Sequence, residues 1–123
     1  MHLSNSYKGL KVWQKAIDLV TEIYDLTERF PKSEKYGLTP QMQRAAVAIP
    51  SNIAEGQRRG HAKEFLQFLY ISYGSGAELE TQVEICKRLP KLQELNYNKA
   101  ESLLEEVMKM LNVLIASLKK RNF

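Results

Sequence analysis

The chain has 123 residues, of which 44% are hydrophobic and 26% are charged, and its formal net charge is +4. These values are typical of one globular domain and exclude a disordered or collagen-like chain. The single cysteine excludes an intrachain disulfide.

The first predicted helix covers residues 8–29. It ends before Phe30, because Phe30 precedes Pro31 and the residue before a proline is pushed out of the α region. Charged residues such as Lys15 and Glu22 fall largely on its outer side. Apolar residues recur at spacings of three and four, which predicts that one face is buried: Trp13, Ala16, Ile17, Val20, Ile23, Tyr24 and Thr27.

The second predicted helix covers residues 39–57. Thr39 is expected to cap its first turn, and Pro40 suits the first helical position because no N–H is needed there. The glycine-flanked sequence at 56–60 is expected to break the chain before the next helix. The predicted buried stripe consists of Leu38, Met42, Ala45, Ile49, Ile53 and Ala54.

An internal proline predicts a bend in the second helix. Pro50 removes one backbone hydrogen bond, and prolines inside helices are a common cause of kinks. Ser51 and Asn52 follow it, and their side chains are placed to bond freed carbonyls or a neighbouring helix. We interpret residues 43–56 as a kinked, small-residue helix that allows close packing and directs the basic link after it.

Two further helices are predicted at 61–89 and 97–120. Four amphipathic helices joined by short links favour an all-α fold, an antiparallel up-down-up-down four-helix bundle formed by residues 1–123 as one domain. The expected buried stripe of the third helix is Phe65, Phe68, Leu69, Ser72, Gly76, Leu79, Val83 and Cys86. That of the fourth is Ala100, Leu104, Val107, Leu111, Leu114 and Leu118.

The amino terminus and the apolar pattern indicate a cytoplasmic protein. The first residues, MHLSNSYKGLK, lack the apolar segment of a signal peptide. No apolar run approaches the ~18 residues that predict a membrane span. A lone cysteine also fits a reducing compartment.

No catalytic constellation is visible, and we predict no enzyme activity, no cofactor and no metal. Neither His2 nor His61 follows a glutamate by three residues, as the di-iron sites of helical bundles require. Cys86 lies on an apolar stripe, where a free cysteine usually behaves as a small hydrophobe. The Gly-Ser-Gly sequence at 74–76 lacks the Lys-Ser/Thr of a phosphate-binding loop. Close helix approach is the better explanation for its glycines.

A second apolar stripe on the third helix indicates a subunit interface. Leu66, Tyr70 and Tyr73 lie one residue along from the core stripe. A helix that is apolar on two faces is usually buried on two faces, and tyrosine is enriched at protein interfaces. The alternative is that these residues are ordinary, partly exposed surface.

Basic residues are expected to gather at one end of the bundle. An up-down-up-down order brings together the start of helix one, the link between helices two and three, and the end of helix four. Such a patch is typical of a protein that binds nucleic-acid phosphates. In part it also has a structural explanation, because cations stabilise a helix C-terminus. The set comprises Lys8, Lys11, Lys15, Arg58, Arg59, Lys63, Lys119, Lys120 and Arg121.

Several motifs in order resemble one family, the 23S ribosomal RNA intervening-sequence proteins. The sequence LKVWQKA at 10–16 is similar to the family's opening, and RAAVAIPSNIAEG at 44–56 to its central signature. KEF at 63–65 and ELETQ at 78–82 match its third helix. The resemblance implies a four-helix bundle, a homopentamer and no established enzymatic activity. Some members are encoded within insertions in ribosomal RNA genes. A related retroelement accessory protein binds nucleic acid and a reverse transcriptase.

These observations together predict a non-enzymatic, oligomeric bundle that binds RNA through its basic end. The alternative is an adaptor or scaffold that recruits a partner enzyme without contacting nucleic acid. Its contact surface would be the second stripe of helix three. No membrane association is expected.

Overall fold

The structure, a computed structural model that describes residues 6–121, contains four α-helices. They are α1 (Lys11–Glu28), α2 (Leu38–Arg58), α3 (Ala62–Arg88) and α4 (Asn98–Lys119). Two short 3-10 turns, Tyr7–Gly9 and Lys32–Glu34, precede α1 and α2. The described range contains no strand. His2, considered above as a metal ligand, lies outside this range.

Ion pairs between α1 and α4 show that these helices run in opposite directions. Lys15 lies 3.6 Å from Glu106, and Glu22, two turns further along α1, lies 3.6 Å from Lys99 near the start of α4. Residue numbers therefore rise along α1 in the direction in which they fall along α4, so the two helices are antiparallel.

The same reversal relates α2 to α3. Met42 near the start of α2 contacts Cys86 near the end of α3. Ile49, two turns later in α2, contacts Ser72, which lies earlier in α3. Helix α2 also packs on α1, and α3 packs on α4. The predicted all-α, antiparallel four-helix bundle is confirmed.

The buried face of α1 differs from the sequence prediction. Ile17 and Tyr24, expected inside, are exposed, whereas Leu19 and Leu26 are completely buried. Glu22, expected outside, is largely buried. The reason is that the apolar face of α1 is broader than the predicted stripe. The core includes the predicted Ala16, Ile23 and Thr27, and the prediction passed over Val12, Leu19 and Leu26 beside them.

The helix starts also differ from expectation. Helix α1 begins at Lys11, after the extended Leu10 and a separate 3-10 turn. Ser6 caps that turn, its hydroxyl accepting from the N–H of Lys8 at 3.3 Å. Helix α2 begins at Leu38, whose N–H donates to the carboxylate of Glu34 at 3.1 Å. The predicted cap by Thr39 is therefore wrong.

The link between α2 and α3 is shorter than the sequence indicated. Gly56 does not break the chain, because α2 continues through it to Arg58. The turn lies around Gly60, whose φ of 81° is in the left-handed region that favours glycine. Gly56 instead permits close packing, since a Cβ at this position would lie 2.5 Å from the Cβ of Phe68.

In the described part of the chain, none of the helices has the length and apolar character needed to cross a membrane.

Candidate nucleic-acid interface

One end of the bundle gathers basic residues from three separate parts of the chain. A cleft of about 490 Å³ there is lined by Leu10 before α1, Arg58 and His61 at the link between α2 and α3, and Arg121 after α4. The predicted convergence of these segments follows from the antiparallel order of the helices. We call this region the basic end.

Two of the predicted phosphate-binding cations are already paired with carboxylates. Lys15 lies 3.6 Å from Glu106 of α4, an acidic neighbour that the sequence analysis did not identify. Arg59 lies 3.0 Å from Glu55 and 3.4 Å from Glu64. Its hydrogen bond with Glu55 raises the pKa of Arg59 above the ordinary value. These side chains contribute less to an anion site than their charges alone suggest.

The other predicted cations are exposed and form no ion pair with any described residue. The guanidinium of Arg58 lies over the ring of Tyr7 at 5.2 Å, and Tyr7 in turn packs edge-on against Trp13 at 5.3 Å. A guanidinium held by its face still presents N–H donors at its edge, where phosphate binds in a bidentate manner. The exposed set is Lys8, Lys11, Arg58, Lys63, Lys119, Lys120 and Arg121.

The structure adds one cation that the sequence analysis missed. Lys109 lies about three turns before the end of α4. It shares a groove between α1 and α4 with Lys11, Met110 and Val113. A search for basic residues near helix ends overlooks it, whereas the register of α4 against α1 reveals it.

The opposite end of the bundle is different because carboxylates lie among its cations. Some of its cations are exposed and form no ion pair with a described residue, namely Arg29, Lys32, Lys35 and Lys91, but others are paired. Lys87 lies 2.9 Å from Glu101, and Arg88 lies 3.0 Å from Glu84. The largely buried Glu22 faces Lys99 near this end. Mutual compensation of charge leaves this end less suited to polyanions.

The outer face of α3 only partly matches the predicted interface stripe. Leu66 and Tyr73 are half-buried and pack against the core. Tyr70 is 47% exposed, and Ile71 beside it is 50% exposed. The unpartnered apolar surface therefore centres on Tyr70 and Ile71, the second of which the sequence analysis did not select.

The proline segment of α2 is held by two side-chain hydrogen bonds to backbone carbonyls. Asn52 donates to the carbonyl of Ala48 at 2.8 Å, which is not the carbonyl of Ala46 that the missing N–H of Pro50 frees. Ser72 of α3 donates to the carbonyl of Ile49 at 2.9 Å. Ser51 is exposed, so the contact with a neighbouring helix is made by Ser72 in its place.

Neither the thiol nor the glycine pair forms a chemical site. Burial raises the pKa of the Cys86 thiol, which contacts the sulfur of Met42 at 3.6 Å. Gly76 faces the side chain of Met108, as close helix approach requires, whereas Gly74 faces open space. No group of histidine, cysteine and carboxylate side chains within residues 6–121 is arranged to hold a metal ion.

The fold and the charge distribution define the class of protein as a helical bundle with one cationic end. Residues 8–113 match the family described as 23S rRNA-intervening sequence protein. Since the match covers most of the chain, the chain belongs to this family, and the resemblance found in its motifs is confirmed. No curated protein matches the sequence significantly.

Proposed function

We propose that this protein is a non-enzymatic RNA-binding bundle whose basic end contacts the phosphate backbone. The observation that supports the proposal most strongly is the difference between the two ends. At the basic end, exposed cations without ion-pair partners outnumber the carboxylates. At the opposite end, carboxylates about balance the cations, and Lys87, Arg88 and Lys99 are ion-paired. Unpaired lysines and arginines on one surface are the electrostatic footprint of a phosphate-binding protein.

RNA is the nucleic acid that we favour. The description of the family refers to an intervening sequence of 23S rRNA, which connects its members with an RNA. We further propose a cytoplasmic protein that assembles as a homo-oligomer, a pentamer by resemblance to its family. In a ring of subunits, the basic ends would line one surface and add their potentials.

Removing two cations of the basic end should weaken RNA binding. We expect Arg58→Ala combined with Lys63→Ala to lower RNA affinity about tenfold at moderate salt, because each lost phosphate contact also forgoes the release of a counterion. Fluorescence anisotropy with a labelled RNA measures the effect. Arg59→Ala should cost less, since Glu55 and Glu64 already engage that guanidinium.

The matched control removes the same amount of charge from the opposite end. Lys32→Ala combined with Lys91→Ala replaces two exposed lysines and should leave affinity close to that of the unmodified chain. Equal losses in the two double variants would mean that net charge alone governs binding. That result would contradict a phosphate site at the basic end.

The second candidate is an adaptor that binds a partner protein, and the exposure of Tyr70 and Ile71 favours it. The same surface suits contact between copies of this chain. We expect Tyr70→Asp to reduce the oligomer to smaller species, because a carboxylate would be buried without a partner. Light scattering of the variant measures its mass. An unchanged mass would exclude this face as the self-interface and leave it open to another protein.

A further inference from the structure

The cleft at the basic end has an apolar floor beneath a cationic rim. Phe65, Leu114 and Leu118 supply apolar lining from α3 and α4. Arg58, His61 and Arg121 also line the cleft and are exposed. No aspartate or glutamate is among the described residues that line it. The arrangement suits a ligand with one flat apolar part and one anionic part.

The size of the cleft suits part of a nucleotide better than a surface phosphate alone. Its volume of about 490 Å³ falls within the range of roughly 300–1,000 Å³ that is common for small-ligand sites. By contrast, the pocket between α3 and α4 is lined by Glu80, Glu101 and Glu105, which would repel a phosphate.

Gly56 gives the floor of the cleft its position. A Cβ on Gly56 would lie 3.2 Å from the ring of Phe65 and 2.5 Å from the Cβ of Phe68. The absence of that Cβ lets α3 approach α2 closely enough to place Phe65 at the cleft. The aromatic ring is thus held by helix packing, which is the property that a stacking platform requires.

From this geometry we infer that the cleft binds an unpaired nucleotide of the RNA, with the base against the half-buried Phe65 and Leu114 and its phosphate at Arg58 and Arg121. The inference rests on the proposed function and adds the form of the RNA to it. Bases in a duplex are stacked and paired, whereas those in single strands and bulges are available for stacking on aromatic side chains. The structure therefore assigns a preference for unpaired RNA.

Anisotropy with one RNA sequence in single-stranded and in blunt duplex form tests the preference. We expect the single strand to bind about tenfold more tightly, because stacking one base on an aromatic side chain contributes a binding free energy of that size. Charge alone predicts the reverse order, because a duplex has the higher density of phosphates. Equal binding, or tighter binding of the duplex, would overturn the inference.

A cleft-filling variant separates the base site from the phosphate contacts. Ala62 is half-buried at the start of α3 and lines the cleft. We expect Ala62→Leu to lower single-strand affinity to about that of the duplex, so that the preference is lost. Ala116→Leu is the matched control, because Ala116 is exposed on α4 and is not among the residues lining the cleft. A preference that persists in Ala62→Leu would overturn the inference.

Adenosine monophosphate distinguishes a nucleotide within RNA from a free nucleotide. It carries a base and a phosphate but lacks the neighbouring phosphates that the cations outside the cleft would bind. We expect displacement of RNA only at concentrations at least about a hundredfold above the RNA Kd. Displacement at concentrations close to that Kd would mean that the cleft takes free nucleotides, which contradicts the inference.

Photo-crosslinking of the unmodified protein provides a test that does not depend on a variant's folding. With 4-thiouridine in the single strand, adducts are expected in residues 57–65 or 114–121, which contribute the cleft. Adducts confined to other segments would overturn the assignment. If the Arg58→Ala, Lys63→Ala variant weakens both RNA forms while adducts lie elsewhere, the proposed function stands and only the base site fails. If the unmodified protein binds neither form, both fail.

Discussion

Leu19→Ala should destabilise the bundle by about 2–5 kcal/mol, the usual cost of removing a fully buried leucine side chain. Leu19 is 0% exposed, and its neighbours cannot fill the cavity without moving helices. This loss is large compared with the roughly 5–15 kcal/mol by which globular proteins are stable. Chemical denaturation at a fixed protein concentration measures the free energy of unfolding.

Ile17→Ala is the matched control on the same helix. Ile17 is 36% exposed, so its replacement should cost less than about 1 kcal/mol. The periodic stripe read from the sequence predicts a buried Ile17 and therefore a large loss. A greater loss for Ile17→Ala than for Leu19→Ala would show that α1 presents the other face to the core.

Gly56→Ala and Gly74→Ala should change stability in opposite directions. At Gly56 the new Cβ would meet the Cβ of Phe68 at 2.5 Å. That atom is fixed to the backbone of α3, so the two helices must separate. Overpacking of this kind costs about 1–3 kcal/mol, which exceeds the gain of about 1 kcal/mol in helix propensity. We expect a net loss of up to about 2 kcal/mol.

At Gly74 a new Cβ would meet nothing within 4 Å. Only the gain in helix propensity remains, so we expect Gly74→Ala to stabilise the fold by about 0.5–1 kcal/mol. Thermal and chemical denaturation of both variants measure the difference. Stabilisation of equal size at the two positions would contradict close packing of α2 against α3 at Gly56.

The sequence predicted the number of helices and their order because each helix has a clear apolar period. It predicted the buried face of α1 only in part, because Leu19 and Leu26 are buried in place of Ile17 and Tyr24. Apolar residues cover a broad face of α1, and periodicity alone cannot locate its centre. The prediction also treated Glu22 as a surface residue, although its carboxylate is largely buried and reaches Lys99. Only packing against α4 locates the centre of the buried face.

Some features of the candidate site could be predicted from the sequence, and others could not. The meeting of Arg58 and Arg121 at one end follows from connectivity, which the sequence supplies. The pairing of Arg59 with Glu55 could also have been predicted from the sequence, because residues four apart are neighbours on a helix. The pairing of Lys15 with Glu106 depends on the register of α1 against α4. Register is a property of the packed core and could not be read from either helix alone.

The floor of the cleft also lay beyond sequence reasoning. Phe65 and Leu118 were assigned to buried stripes of separate helices. Their shared position beside Arg58 emerges only when α2, α3 and α4 converge. In the inferred complex, cations of the link between α2 and α3 would bind the phosphate and the apolar floor would accommodate the base.

The salt dependence of RNA binding tests the central claim most directly, since its slope counts the phosphate contacts that we propose for the basic end. For Arg58→Ala with Lys63→Ala, a plot of log affinity against log salt concentration should be shallower than for the unmodified chain by about 1–2 units. Lys32→Ala with Lys91→Ala should retain the original slope. Parallel lines for all three proteins would contradict phosphate binding at the basic end.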